Sequence, residues 1–354
     1  MQLRLAASVA AIGLAAFAAP SHAALSFSPF VTTGDLDTVL QNNSTIGFAY
    51  AGDKFVGSVY YGANNDQLYS TNLTGGGVAK FGAPLGNNFG GEIYVTASLG
   101  IGGYGPRDVF AGSQNGGTIM RIAHDGSSQG VFATGLVGGV RSLAFDPFGL
   151  YGNQLIAATN QGNIYTISNT GVPTLLASVG EDTEGLSFTQ QAFGPYAAGT
   201  LFVASEGSGT LRAIAAGPGH AVTPVITGVP EAEMVSFVPL NLGSSGNPVE
   251  GFYAANYAQN IIKADASQFL PYLGDAIVTS EFSVGGPVWD IHYDAATQTF
   301  VKNQIGMFPN QPEDGIFVTA EIIRNPVPEP ETYALMLAGL GALGWVQRRR
   351  ARKA

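Results

Sequence analysis

Four apolar runs, separated by turn residues, recur as a unit along the chain. The second run of each unit carries a large apolar residue, and the intervals between Phe110, Ile156, Phe202 and Phe252 are 46, 46 and 50 residues. Counted the same way, Tyr60 lies 50 residues before the first of these and Phe300 lies 48 residues after the last. Six units of this length with four strands each are typical of a β-propeller.

The last unit ends without an outermost strand, and a propeller must close its ring to hide the sheet edges. Residues 25–36, "LSFSPFVTTGDL", are similar to the fourth strands of other units, such as "AVTPVITGV". Only 11% of the residues are charged and 49 of 354 are glycine, which favours short strands and turns over helices. We therefore predict an all-β, six-bladed propeller over residues 24–325, closed by an N-terminal strand, in preference to a seven-bladed ring.

The turns between third and fourth strands fit this prediction, because "HDGSS", "NTG" and "AGPG" supply residues that tolerate a positive φ. Units such as "GVRSLAFDPFGLYGNQLIAATNQGNIYTI" resemble those of six-bladed propellers of the NHL and strictosidine synthase-like or gluconolactonase kind. The resemblance is spread over the body in loose motifs and implies a fold rather than an activity.

The first strand of each propeller blade lines the central channel, so equivalent residues of different blades converge there. Aligning these strands on Phe145, Phe188, Phe237 and Tyr293 places Arg141, Glu184, Glu233 and Trp289 four residues earlier. The segment "GGEIYVTASLG" places Glu92 in the same way. We therefore expect three carboxylates and one arginine to face a common axis.

Carboxylates that approach one another closely repel unless a cation compensates them, and hard cations prefer carboxylate ligands. One hypothesis is a Ca²⁺ or similar divalent ion at Glu92, Glu184 and Glu233. Gluconolactonase-like propellers resemble this arrangement in holding a metal with channel carboxylates and an Asn, although no Asn of this chain can be matched to theirs. The alternative, which we favour, is a hydrated channel in which the acids pair with Arg141.

The charge distribution restricts the partners of the body. Between residues 24 and 330 there are 9 Lys and Arg against 24 Asp and Glu, which argues against nucleic acid as a partner. Cysteine is absent, so the fold uses no disulfide. The three histidines after residue 23 show no paired spacing, and a zinc site is not expected.

The N-terminus is typical of a secretory signal. Arg4 precedes an apolar run, and small residues follow at "SHA", so a signal helix over residues 1–23 with cleavage between Ala23 and Ala24 is predicted. Signal peptidase and the export translocon are then expected partners.

The C-terminus combines three elements in a fixed order: a Pro-Glu-Pro sequence, an apolar segment at residues 332–346, and a basic tail. The residues of the first and last elements are Pro328, Glu329, Pro330, Arg348, Arg349, Arg350, Arg352 and Lys353. As a helix, the apolar segment would span roughly 22 Å, whereas a bilayer core of ~30 Å usually needs about 20 residues. A short transmembrane helix with a positive stop signal is predicted, and an ordinary membrane anchor is the alternative.

Residues 326–354 resemble the PEP-CTERM sorting signal closely. This resemblance implies recognition by an exosortase of a Gram-negative bacterium, with the body first in the periplasm, transiently anchored at the inner membrane, and then at the surface or outside the cell. It also implies a link to exopolysaccharide or biofilm. We therefore expect a non-catalytic, exported propeller that binds a polysaccharide or matrix protein. The alternative is a metal-dependent hydrolase or lactonase that uses the channel carboxylates.

Overall fold

A computed structural model describes residues 23–86 and 89–319 of the chain. The predicted signal helix lies outside these residues except for Ala23, which is exposed together with Ala24. The sorting motif, the short transmembrane helix, the basic tail and residues 320–325 of the predicted domain also lie outside. Within the described ranges, no helix is both long and apolar enough to span a bilayer.

The described chain begins with β1 (Ser28–Val31) and α1 (Thr33–Leu40). Helix α1 is capped by Thr32, whose side chain accepts a hydrogen bond from the backbone N–H of Asp35. Leu36 and Leu40, one turn apart on the same face, are fully buried.

Four blades follow, each a four-stranded antiparallel sheet built from consecutive strands. Blade 1 comprises β2 (Thr45–Tyr50), β3 (Phe55–Val59), β4 (Tyr69–Thr71) and β5 (Ala79–Lys80). Blade 2 comprises β6 (Ile93–Ala97), β7 (Val109–Ser113), β8 (Gly116–Ile122) and β9 (Gln129–Ala133). Blade 3 comprises β10 (Val140–Phe145), β11 (Leu155–Thr159), β12 (Asn163–Ile167) and β13 (Pro173–Ser178). Blade 4 comprises β14 (Leu186–Phe188), β15 (Leu201–Ser205), β16 (Thr210–Ile214) and β17 (Val222–Ile226).

The last two blades exchange strands. The remaining elements, in chain order, are β18 (Ala232–Phe237), β19 (Gly251–Tyr257), β20 (Asn260–Asp265), a 3₁₀ helix (Ala266–Tyr272), β21 (Ala276–Ser280), β22 (Pro287–Asp294), β23 (Thr299–Met307) and β24 (Gln311–Val318). Blade 5 has the order β18-β21-β22-β23, whereas blade 6 has the order β24-β19-β20-β1. After β18 the chain therefore leaves blade 5, forms the hairpin β19–β20 in blade 6, and returns to blade 5 at β21.

This exchange corrects the sequence-based assignment of the fifth and sixth units. Phe252 belongs to the second strand of blade 6, and Phe300 belongs to the fourth strand of blade 5. Trp289 lies in β22, the third strand of blade 5, and not at the channel. Its indole N–H donates to Ser280 Oγ at 2.9 Å, and Lys302 Nζ lies 4.6 Å from its ring centroid.

The ring closes as the sequence predicts. Strand β1 pairs antiparallel with β20 and forms the outer edge of blade 6, so the N-terminal strand completes the last blade. The predicted turns are also present, since Gly126, Gly171 and Gly219 all have positive φ values. The six-bladed architecture is thereby confirmed, with two short helices among the described residues.

The hydrophobic core lies largely between neighbouring blades, where the inner strands pack side by side. Phe110 of blade 2 and Phe145 of blade 3 have ring centroids 5.4 Å apart in an edge-on arrangement. Phe202 of blade 4 and Phe237 of blade 5 repeat it at 5.1 Å. The innermost strands β2, β6, β10, β14, β18 and β24 contact one another in sequence around the channel.

Candidate binding site in the central channel

Five charged side chains lie at the beginnings of five innermost strands. They are Glu92, Arg141, Glu184, Glu233 and Glu313, and all except Glu92 are buried. Blade repetition explains the convergence, because each strand starts at the same end of the channel. Four of these side chains were predicted from the sequence, and Glu313 was missed.

Glu313 obeys the same rule as its neighbours, since it lies four residues before Phe317 in "EDGIF". The alignment on Tyr293 predicts Trp289 at this position, which requires β22 to be the first strand of the last blade. The exchange of strands places β24 there instead. The spacing of a glutamate four residues before an aromatic residue therefore also occurs in β24.

Arg141 is the centre of a charged layer across the channel. Its guanidinium forms ion pairs with Glu92 and Glu184. It also lies 3.4 Å from Asp182 Oδ1 and 3.6 Å from Glu206 Oε2. A planar guanidinium offers five donors, so one side chain can serve several carboxylates at once.

Tyr94, in β6 and two residues after Glu92, contacts two of these carboxylates. Its hydroxyl oxygen lies 3.0 Å from Glu92 Oε2 and 2.8 Å from Glu184 Oε2. The hydroxyl carries one proton, so the two carboxylates share a single donor. Arg141 lies 6.0 Å from the centroid of the Tyr94 ring, which adds a cation–π contact.

A second acidic group lies beside this layer and contains Glu233, Glu281 and Glu313. The Gln311 side chain donates to Glu281 Oε1 and, at 2.9 Å, to Glu313 Oε1. Glu233 is 2% exposed, and its Oε2 has no hydrogen-bond partner within residues 23–86 and 89–319. A buried carboxylate oxygen without a hydrogen bond is costly when it is ionised, so a donor from outside the protein would be stabilising at Glu233.

Burial and mutual repulsion raise the pKa values of these acids. Desolvation, opposed in part by the Tyr94 hydrogen bond, raises the pKa of Glu92 to about 7. Desolvation and the charges of Glu206 and Glu92 raise the pKa of Glu281 to about 7. The pKa values of Glu233 and Glu313 are raised well above the ordinary range, chiefly by desolvation and then by neighbouring glutamates. The charged layer and the acidic group beside it therefore contain more acid than Arg141 compensates.

A cavity of about 820 Å³ occupies the channel on the other side of this layer. Tyr94, Glu184 and Glu233 line its inner end. Small polar side chains line its wall, namely Thr96, Ser142, Ser187 and Ser236. Apolar side chains surround its mouth, namely Leu99, Ile101, Pro147, Phe148, Pro239 and Phe317. Arg107 also lines it, with its guanidinium 5.6 Å from the Tyr50 ring centroid.

The predicted metal residues are distributed over both acidic groups. Glu92 and Glu184 share Arg141 and Tyr94, whereas Glu233 lies beside Glu281 and Glu313. A tighter set consists of Asp182, Glu184 and Glu206, each of which offers an oxygen within 4.8 Å of the others. Arg141 contacts all three of these carboxylates. A metal ion at this position would have to displace a guanidinium that already neutralises the site.

Comparison with known proteins identifies one sequence motif, at the C-terminus. The PEP-CTERM protein-sorting motif matches residues 326–351. This motif implies an exported protein that an exosortase processes. No curated protein matches the chain.

Three solved structures are similar to the body at low identity. A nidogen/laminin complex has 13% identity and a TM-score of 0.49, covering 77% of this chain and 83% of that chain. A gluconolactonase-like protein has 11% identity and a TM-score of 0.45, covering 82% and 94%. A streptogramin B lyase has 8% identity and a TM-score of 0.46, covering 79% and 87%. At these values the similarity carries no argument about activity.

Proposed function

We propose that this exported propeller is a non-catalytic binding module whose ligand site is the central cavity. The observation that carries the proposal is a cavity of about 820 Å³ that ends at a buried carboxylate oxygen without a partner. Cavities of this size, with many apolar and a few convergent polar groups, are typical of ligand sites. The acidic body and the sorting motif favour a partner outside the cytoplasm, such as a polysaccharide or matrix protein.

The proposal includes a route to that partner. Signal peptidase and the translocon would export the body, and the short apolar segment would hold it transiently at the inner membrane. An exosortase would then act near Pro328, Glu329 and Pro330 and release the propeller to the surface or outside. The link to exopolysaccharide or biofilm rests on the motif alone.

A tail truncation tests whether the propeller folds independently of the C-terminal sorting signal. A chain that ends at Val327 is expected to keep the thermal unfolding temperature of the full chain, because the six blades are complete by residue 318. It is also expected to leave the membrane fraction without processing. Circular dichroism and cell fractionation measure the two outcomes, and a truncated chain that misfolds would show that the tail belongs to the fold.

A cavity-filling variant tests the binding site. Ser236→Phe introduces a ring into the cavity wall, and Thr174→Phe places the same ring on an exposed position of the outermost strand β13. We expect Ser236→Phe to weaken binding to isolated matrix polysaccharide and protein at least tenfold, with Thr174→Phe unchanged. Biolayer interferometry with the immobilised full chain measures both. Equal binding by both variants would place the ligand site elsewhere.

A second candidate function is a metal-dependent hydrolase or lactonase, which the close approach of Asp182, Glu184 and Glu206 favours. In place of the Arg141 guanidinium, these three carboxylates would hold Ca²⁺, which would polarise a carbonyl oxygen of the substrate. Lactone and aryl-ester hydrolysis, measured with Ca²⁺ and with chelator, separates this candidate from a binding module. Hydrolysis that chelator abolishes and Glu206→Gln removes would establish the enzyme.

A further inference from the structure

The floor of the cavity contains two buried carboxylates, of which Glu184 has an ion pair to Arg141 and Glu233 has none among the described residues. Glu184 accepts from Tyr94 and pairs with Arg141 on the far side of the layer. Glu233 lies on the neighbouring inner strand, and its buried Oε2 has no donor. A ligand that reaches this floor therefore meets an acceptor without a donor.

The sign of the surrounding charge restricts what can provide that donor. Glu281, Glu92 and Glu206 act on Glu233 with negative charge, and Arg141 opposes them. Arg107 and Asp314 add one ionisable group of each sign to the lining of the cavity. An anionic ligand group would add to this repulsion, and a neutral hydroxyl would leave it unchanged. A cationic group would donate to the ionised form of Glu233 and reduce the repulsion. It would therefore favour ionisation of Glu233, whose pKa burial raises in the empty cavity.

The walls and mouth of the cavity indicate the chemical nature of the part of the ligand that lies away from Glu233. Ile101 and Phe148 line the mouth and are 36% and 41% exposed, so apolar surface faces solvent there. Covering such surface is favourable by roughly 25 cal/mol per Å². A bare metal ion would use the floor alone, whereas an organic cation would use the floor and the mouth.

We infer that the cavity binds an organic ligand with a cationic head and an apolar body, the head at Glu233 and the body against the mouth. This inference rests on the proposed binding function and gives it a ligand class. The occupant is a small amine or an amine-bearing side chain of a partner.

Three probes with one apolar body test the head group. The purified full chain is titrated by calorimetry with 4-phenylbutylamine, 4-phenylbutanol and 4-phenylbutanoate. We expect the amine to bind at least tenfold more tightly than the alcohol, and the carboxylate to bind less tightly than either. Equal affinities for amine and alcohol would overturn the inference and leave the proposed cavity function standing. Absence of binding by all three probes would also overturn it.

Two charge variants test whether Glu233 causes the tighter binding of the amine. In Glu233→Gln the advantage of the amine over the alcohol is expected to fall below threefold, with the alcohol affinity unchanged. Glu231→Gln removes the same charge two residues earlier at an exposed position and is expected to keep the advantage. An equal loss in both variants would indicate a general charge effect and contradict the assignment to Glu233. Ser236→Phe is expected to weaken amine and alcohol alike, and the matrix-binding assay with that variant judges the proposed function separately.

Discussion

Replacing Arg141 by methionine is expected to lower the free energy of unfolding by about 3–5 kcal/mol at pH 8. The physical reason is that Glu92 and Glu184 would keep their buried positions while losing the cation that pairs with both. Asp182 and Glu206 would lose their nearest positive charge as well. Methionine fills a similar volume, so the change isolates the charge. Urea unfolding followed by circular dichroism measures the loss.

The matched control is Arg121→Met on blade 2. Arg121 forms an ion pair with Asp108, and the Arg121 side chain is 48% exposed. Asp108 is buried but also accepts a hydrogen bond from the His124 N–H, so the expected loss is about 1–2 kcal/mol. Equal losses in the two variants would show that the layer around Arg141 is not electrostatically special.

The loss in Arg141→Met is also expected to depend on pH. The pKa values of Glu92 and Glu281 are raised to about 7 in the folded protein, from ordinary values near 4.5. A raised folded-state pKa stabilises the fold below pH 4.5, and this contribution is lost as the pH rises through 7. Glu92 and Glu281 are mostly protonated at pH 5 and gain little from a cation, whereas at pH 8 they are mostly ionised. The free energy of unfolding of the variant should therefore be closest to that of the native protein at pH 5 and farthest from it at pH 8. A pH-independent difference would contradict this account.

Deleting residues 25–31 is expected to abolish the folded state at 37 °C. The deletion removes β1, which leaves β20 as an unpaired edge and opens blade 6 to solvent. Val31 is fully buried, and the ring of Phe30 lies 4.7 Å from that of Tyr253 and 5.2 Å from that of Phe55. Loss of closure and of this packing together exceeds the stability of an ordinary domain. Size-exclusion chromatography and far-UV circular dichroism measure the result.

A graded variant keeps this prediction testable if the deletion yields no soluble protein. Phe30→Ala is expected to cost about 2 kcal/mol or more, because it removes a ring packed between blades 1 and 6. Ser28→Ala at an exposed position of the same strand is expected to cost less than about 0.5 kcal/mol. A stable, monomeric deletion variant would show that the ring does not need β1.

The repeat in the sequence predicts the number of blades, the closing strand and most of the channel charges. Each of the first four blades is built from consecutive hairpins, so spacing along the chain also gives the pairing. In the last two blades the spacing persists, but the hairpin β19–β20 pairs with β24 and β1. Apolar runs specify that strands exist and do not specify the partner, so this exchange could not be read from periodicity.

The charged site in the channel could also be predicted only in part. Glu92, Glu184 and Glu233 could be placed at the channel because blade symmetry brings equivalent positions together. Their partners could not be predicted, since Tyr94 and Glu206 reach the layer from positions outside the aligned one. The cavity depends on side chains from every blade and has no local signature in the sequence.

We expect the channel cavity to be open to ligands and to select positive charge. The chain contains no cysteine, so Ser236→Cys places a single thiol in the cavity wall, and Thr174→Cys provides an exposed control. The rates of modification by aminoethyl and sulfonatoethyl methanethiosulfonate measure access and charge preference. We predict that the cationic reagent modifies Ser236→Cys faster by on the order of tenfold, relative to the control, and that adding Glu233→Gln removes most of the difference. An unreactive thiol at residue 236, or one modified equally by both reagents, would contradict this expectation.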